Sequence, residues 1–426
     1  MNANMSMQPS IPILAGRRSE SETVLPGIPK PQFAAEADSA HALAIDEVEI
    51  SIVMPCLNEI ETIAACVRKA KAVIVSHGYR GEIIVSDNGS TDGSVEAALA
   101  AGARVVHQPL RGYGNAYIKG FDSAEGHFIL MADSDNTYDF NDLPQYLALL
   151  RDGYDVVMGN RFTGKILPGA MPWLHRYVGN PVLSGLLNLF FNTGVGDAHC
   201  GMRAFSREAY KRMHLQTGGM EFASEMVINS AKAGLKMTEV PITYYPRLGE
   251  SKLNSFRDGW RHLRFMLLYS PTHLYLWPGA TMMLVGLAAL LGLAAGPVQV
   301  FGLTFGIHWM FVGSLLALLG FQLINLGFFA RMYSLSSHID VSRDGAVNFF
   351  TKHFRMESGI FIGLVLFSIG IATFLFVLGT WADNRLDITH SIRLSILALT
   401  LSVLGAQTVF SSFFISMMVI KRSGWQ

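Results

Sequence analysis

Two acidic clusters hold the residues of this chain best suited to chemistry. Asp87-Asn88-Gly89-Ser90-Thr91-Asp92-Gly93 follows the apolar run 82–86, and Asp133-Ser134-Asp135 follows the run 127–132. Carboxylates at the C-terminal ends of parallel strands stand where open α/β sheets bind their ligands. Two Asp separated by one residue on a turning backbone can converge on one hard divalent cation, and such a cation can hold a diphosphate. A third polar cluster, Pro55-Cys56-Leu57-Asn58-Glu59, follows the first apolar run, 50–54. Singly these motifs are weak, because Asp-x-Asp and Asp-Gly-Ser turns are ordinary loop chemistry. Their order, and the apolar run before each, is what gives them weight.

The elements that must position them alternate between two periods. Strands are expected at 50–54, 82–87, 103–108, 127–133 and 155–160. Helices are expected near 94–101, 114–124 and 141–151, and a helix-period set (Ile60, Ile63, Val67, Ala70, Ile74) follows the first strand. Such alternation predicts an α/β, Rossmann-like, mostly parallel sheet with helices on both faces. Residues 1–47 carry Pro9, Pro12, Pro26, Pro29 and Pro31 with no sustained period, and read as a mobile tail. The expected organisation is that tail, a catalytic domain over 48–250, an interfacial amphipathic helix over 251–273 and a transmembrane domain over 274–426.

Hydrophobic residues make up 50% of the chain and charged residues only 15%, with most of the apolar excess after residue 270. Four spans are expected, at 274–295, 308–330, 359–380 and 394–420, each long enough to cross a bilayer. Two shorter stretches, 182–191 and 256–269, are amphipathic and rich in aromatic residues, as interfacial helices are. The loop between spans two and three holds Arg331, Arg343, Lys352 and Arg355, and the tail holds Lys421 and Arg422. The loop between spans one and two has no Lys or Arg, and the 381–392 loop has Arg385 alone. Positive charge stays inside, so the head, the middle loop and the C-terminus are expected in the cytoplasm. Lys+Arg and Asp+Glu both number 33, which gives no footprint for nucleic acid. Cys56, Cys66 and Cys200 lack metal-ligand spacing and read as reduced thiols. No apolar h-region follows Met1, so a cleaved signal peptide is not expected.

The first 270 residues or so resemble a family 2 glycosyltransferase of GT-A fold, and among these the polyprenyl-phosphate glycosyltransferases such as dolichyl-phosphate mannose and glucose synthases. The residues that carry the resemblance are Val53-Met54-Pro55-Cys56-Leu57-Asn58-Glu59, Asp87 to Gly93, Ala132-Asp133-Ser134-Asp135, Gly159-Asn160-Arg161-Phe162, Asp197-Ala198-His199-Cys200-Gly201-Met202-Arg203 and Arg247-Leu248-Gly249-Glu250-Ser251-Lys252. The resemblance implies that Pro55, Asn58, Glu59, Asp87, Gly89 and Ser90 line the nucleotide pocket, with Ser134 and Lys252 beside the donor. It implies that Asp133 and Asp135 hold Mg²⁺ or Mn²⁺ on the donor diphosphate. The family often reads Asp-Ala-Asp-Leu-Gln here; Asn136 and Thr137 take the last two places, which puts a third protein ligand in doubt. The resemblance implies a nucleotide-sugar donor, a polyprenyl phosphate acceptor and a membrane setting. It leaves open a homo-oligomer built through the spans.

An acceptor phosphate monoester has a second pKa of about 6, so it is already largely dianionic at neutral pH and needs no strong base. It needs cations to approach an anionic donor, and Arg suits this better than Lys. Arg161, Arg176 and Arg247 sit where the family places such residues. Arg203 reads equally as structural, and Arg111 is a weaker candidate. Asp197 resembles the family Asp near sugar and acceptor, whereas Glu225 reads nearly as well as a cap. His175 and His199 read as structural histidines. Two other readings remain open at this stage. A processive polysaccharide synthase lacks support, because Gln-x-x-Arg-Trp is absent. A non-enzymatic role in sugar-lipid flipping or sensing would call for ionisable residues inside the spans, and His308 and Arg393 lie at their edges.

Overall fold

The computed structural model describes residues 48–248, 255–336, 356–382 and 388–419, all within one compact unit, Asp46–Gln426. The expected tail, Lys252 and the charged loop residues 343–355, 385 and 421–422 lie outside the described residues.

Seven strands form the sheet of the head: β1 (Ile50–Cys56), β2 (Gly81–Asp87), β3 (Arg104–His107), β4 (Phe128–Met131), β5 (Val156–Ile166), β6 (Arg203–Ser206) and β7 (Met237–Tyr244). Their order is β3-β2-β1-β4-β6-β5-β7, parallel except for β6, which runs antiparallel to both neighbours. Nearly every β1 residue is buried, as a central strand covered on both faces requires. The chain winds outward from β1 through β2 to β3 and then returns to place β4 on the other side of β1. Ligand crevices open at such a reversal. The register puts Asp87 beside Cys56 and Met131 beside Val53, so the three polar clusters emerge side by side.

Helices α1 (Ile63–Ser76) and α4 (Leu143–Arg151) cover one face, with Ile63, Val67, Leu143 and Tyr146 in that core. The other face is built from α3 (Tyr113–Asp122), α5 (Asn180–Phe191), α6 (Arg207–Met213) and α7 (Phe222–Lys232), around Tyr117, Phe121, Phe205 and Phe222. The short α2 (Ser94–Ala101) ends at Gly102 in the left-handed region. Ile60, expected on the buried face of the first helix, precedes α1 and is exposed. The reason is local: Asp92 accepts the Ile60 N–H, which holds this segment in the loop.

Helix α8 (Ser255–Tyr269) has two allegiances. Phe265 and Met266 join the second core of the head, while Trp260 and Leu268 stay exposed. Trp173, Tyr177, Val182 and Leu189, around the start and along the length of α5, are exposed as well. Beyond α8 come four helices long and apolar enough to cross a membrane: Thr272–Ala294, Ile307–Met332, Met356–Ala382 and Thr389–Met418. They begin and end within a few residues of the expected spans, and the chain is an integral membrane protein. Glycines let them approach closely. A methyl on Gly286 would stand 2.3 Å from the Ala317 nitrogen, and one on Gly405 would stand 2.4 Å from the Phe367 nitrogen. Ser314 and Thr400 exchange a hydroxyl hydrogen bond of 2.7 Å between the second and fourth spans.

Candidate active site

The three loops at the strand ends are tied to one another before any ligand is considered. Ser134 Oγ donates to the Pro55 carbonyl at 2.6 Å. The Asn58 amide donates to Ser90 Oγ, and the Asn58 carboxamide oxygen accepts the Thr91 N–H. The Glu59 N–H donates to Ser94 Oγ, and the Asn88 N–H to the Cys56 carbonyl. Asp87 closes a turn on itself: its carboxylate accepts from the Gly89 and Ser90 amides and lies 3.3 Å from His107 Nδ1. Burial alone would raise its pKa, but these hydrogen bonds hold it below the usual range. Arg111 flanks the same turn, since a methyl on Gly89 would meet its Nη2 at 4.0 Å.

Asp133 and Asp135 follow β4. Tyr113 and Tyr117, one turn apart on α3, both donate to Asp133 Oδ1, at 3.0 and 3.1 Å. Burial, and then the neighbouring Asp135 charge, push the Asp133 pKa up to about 6. Asp135 Oδ1 accepts from the Thr137 amide and hydroxyl, so Thr137 braces this carboxylate. Asn136 stands at φ 65° and accepts a 2.6 Å hydrogen bond from Lys69. Arg247 spans the pocket, with Nη2 3.0 Å from Glu59 and Nη1 3.4 Å from Asp135 Oδ2. Its Nε is enclosed without a hydrogen bond.

Gly201 packs directly behind this pair. A methyl there would stand 2.4 Å from Asp133 Oδ2, and the Gly201 N–H donates to the Tyr138 hydroxyl at 2.7 Å. The same loop carries Asp197, which is fully buried. It takes a bidentate pair from Arg161, Nε to Oδ2 at 2.7 Å and Nη2 to Oδ1 at 2.8 Å, with the Arg161 backbone N–H as a third donor. The Arg161 guanidinium also stacks over Tyr244. Both groups are therefore spent on each other in this conformation, rather than presented to a ligand. Glu239 on β7 fixes the loop by accepting from the Gly196 and Asp197 amides and from Asn160.

The other candidates are dispersed. Arg203, fully buried, donates to the carbonyls of Cys200, Ala223 and Ala198 and clamps the backbone. Glu225 accepts from the Gln216 and Thr217 amides and the Thr217 hydroxyl, bracing the loop that passes the start of α3. Arg176 lies in a single wide turn, His175–Gly179, and stacks over Tyr177 on the exposed aromatic flank. His199 meets His262 of α8 edge to face, and His262 shares a 2.8 Å hydrogen bond with Ser224. Lys252 lies outside the described residues.

Tyr113, Tyr117, Tyr138 and Glu239 were missed in the sequence. Tyr113, Tyr117 and Phe121 do form an i, i+4, i+8 aromatic stripe, a legible helix face. Its partner Asp133 lies across the sheet, where no spacing rule reaches.

Asp133 and Asp135 suit a hard divalent cation: two oxygen donors, no imidazole or thiol, and a crowding of negative charge that raises the Asp133 pKa. Among the described residues no cluster of three or more His, Cys, Asp or Glu assembles.

Comparison with known proteins identifies the family. Residues 51–213 match the glycosyl transferase family 2 model, and residues 328–419 match the glycosyltransferase family 2 C-terminal transmembrane region. The low-salt glycan biosynthesis hexosyltransferase Agl6 of Haloferax volcanii is 42% identical over 365 residues, covering 85% of this chain and 87% of that protein. A dolichyl-phosphate hexose transferase of the same organism is 35% identical over 213 residues, covering 50% of this chain and 89% of that one. Among solved structures, glucosyl-3-phosphoglycerate synthase from Mycobacterium tuberculosis, in complex with Mn²⁺, uridine diphosphate and glucosyl-3-phosphoglycerate, aligns with TM-score 0.43 and 24% identity, covering 52% of this chain and 80% of that one. The chain is a glycosyltransferase of family 2, carrying that family's C-terminal transmembrane region behind its catalytic head.

Proposed function

We propose that this enzyme moves one hexose from a nucleotide sugar of the UDP-glucose or GDP-mannose type to the phosphate of a polyprenyl phosphate. The observation that carries the reading is the pocket at the ends of β1, β2 and β4, where Asp133, Asp135 and Arg247 meet in a head joined to four membrane spans. The turn at Asp87–Ser90, with Pro55, Asn58 and Glu59, forms the nucleotide wall. Asp133 and Asp135 would hold Mg²⁺ or Mn²⁺, which neutralises the charge developing on the departing diphosphate.

The lipid phosphate attacks the sugar's anomeric carbon as its dianion. A new C–O bond to the acceptor forms as the bond to the nucleoside diphosphate breaks, with inversion, and no proton need be removed. Arg247 supplies positive charge where the two anions meet, and can exchange its Glu59 and Asp135 contacts for phosphate oxygens. Arg176, on the exposed aromatic flank, meets the acceptor at the membrane surface. Arg161 and Asp197 stiffen the loop behind the sugar. The exposed Trp173, Tyr177, Trp260 and Leu268 rest in the interfacial layer, with the head on the cytoplasmic side as positive charge directs.

The test uses full-length protein in detergent with Mn²⁺, undecaprenyl phosphate, and labelled UDP-glucose and GDP-mannose in parallel. Metal-dependent label in the organic phase from one donor, lost in Asp135→Ala, supports the reading and names the sugar. Nucleotide binding without transfer from either donor would sink it.

A further inference from the structure

Successive spans cross in opposite directions. The end of the first span and the starts of the second and fourth therefore share the end of the bundle away from the head. Leu290, Leu293, Met310 and Ile396 pack together there. Beside them sits Arg393, only 8% exposed. Its Nε is enclosed without a hydrogen bond, and it makes no ion pair among the described residues. A methyl on Gly296 would stand 3.7 Å from its Nη1, so the guanidinium lies against the turn that leaves the first span.

The local field adds to this charge. Helices Ile307–Ser336 and Ile388–Val419 both start at this end, and neither has an acidic residue in its first turn. Each brings the positive pole of a helix N-terminus to this end of the bundle. A buried cation at the end of the bundle where two such poles lie is held only at a large desolvation cost unless an anion completes it.

The adjoining surface says what kind of anion. The turn runs into a two-stranded hairpin, Val298–Val300 with Leu303–Phe305, whose Val298, Val300, Phe301 and Leu303 are all exposed. Phe301 stands at its tip, fully exposed. Apolar side chains beside a buried guanidinium, at the rim of a membrane bundle, complement an amphiphile with a phosphate head and a hydrocarbon tail. We propose that Arg393, the two helix N-termini and the apolar hairpin form a binding site for a lipid-borne phosphate in the leaflet opposite the catalytic head. This inference stands apart from the transfer reaction.

Two lipids share that chemistry, a bulk anionic phospholipid and a glycosylated polyprenyl phosphate. Full-length protein would be examined by native mass spectrometry with phosphatidylglycerol, phosphatidylcholine and hexosyl undecaprenyl phosphate, dosed one at a time. Wild type is expected to retain the anionic lipids over phosphatidylcholine, with Arg393→Gln binding them at least tenfold more weakly and Arg393→Lys staying within about threefold. Retention of phosphatidylglycerol identifies a general lipid site, and retention of the hexosyl lipid alone identifies a product site. Equal retention by wild type and Arg393→Gln overturns the proposal. Should Arg393→Gln not fold, a diazirine-bearing phosphatidylglycerol decides in wild type. Crosslinks to residues 296–303 are expected, and crosslinks confined to the head end overturn the proposal.

Discussion

At the scale of single residues, the acidic pair trades stability for chemistry. The unfolded chain releases the Asp133 proton near the ordinary carboxylate value of 3.8, the folded chain only near 6. The folded state binds more protons between those values, so stability falls as pH rises through them, by roughly 1–3 kcal/mol. Asp133→Asn keeps a carbonyl oxygen for Tyr113 and Tyr117 while removing the charge. In metal-free protein it should raise the melting temperature at pH 8 and leave it unchanged below pH 3.8, while transfer drops at least about a hundredfold. Calorimetry at the two pH values, beside the lipid-extraction assay, checks both halves. The Arg161–Asp197 pair should behave in the opposite way. Asp197→Asn leaves a buried guanidinium without its counter-charge, at a cost of about 3–5 kcal/mol. Chemical denaturation measures it, and a loss under about 1 kcal/mol would mean that water reaches the pair in solution.

At the scale of elements, α8 links head and membrane, and its contact with the active-site loop is sensitive to acid. Burial lowers the pKa of His262 to about 4 and pushes that of His199 well below its usual value. The unfolded chain takes up these protons near 6.5, so between about 6.5 and 4 it binds more of them than the folded chain does. Stability should therefore be complete above pH 6.5 and fall as pH drops through that window, with the His262 part exhausted below about 4. His262→Gln should flatten part of the slope, which melting curves at pH 7 and 5 will show. This junction also shows what local patterns can carry. The expected strands and helices of residues 50–160 lie within a few residues of the observed ones, because each carries its own period. Strand β6 was not anticipated. Its four residues begin with a buried arginine, a type that marks no strand in sequence, which donates to Ala198 and Cys200 in the preceding loop and to Ala223 on α7. Helix α8 was read as interfacial; in the structure Phe265 and Met266 enter the core of the head, while Trp260 and Leu268 stay exposed.

At the scale of the whole molecule, the membrane bundle is held by close backbone approach rather than by bulk. Gly405 faces the Gly363 and Phe367 backbone, so Gly405→Leu should force the third and fourth spans apart and cost about 1–3 kcal/mol. Thermal unfolding in detergent tests this, and the catalytic head should keep its nucleotide affinity. The sequence by itself determined the class of the protein: an α/β head with carboxylates at its strand ends, then four spans. Those signals are local, since strand period, turn residues and a run of apolar residues are all written within a few dozen positions. Only the tertiary structure decided which of the candidate residues meet. Arg247 reaches Glu59 and Asp135 from more than a hundred positions away, Glu239 grips the Asp197 loop, and Arg161 and Asp197 are consumed in a buried pair. Arg393, which reads in sequence as an edge residue, proves to be buried beside the turn that leaves the first span. Contacts of that kind depend on how twisted sheets and antiparallel helices bring distant segments together, and no periodicity along the chain records it.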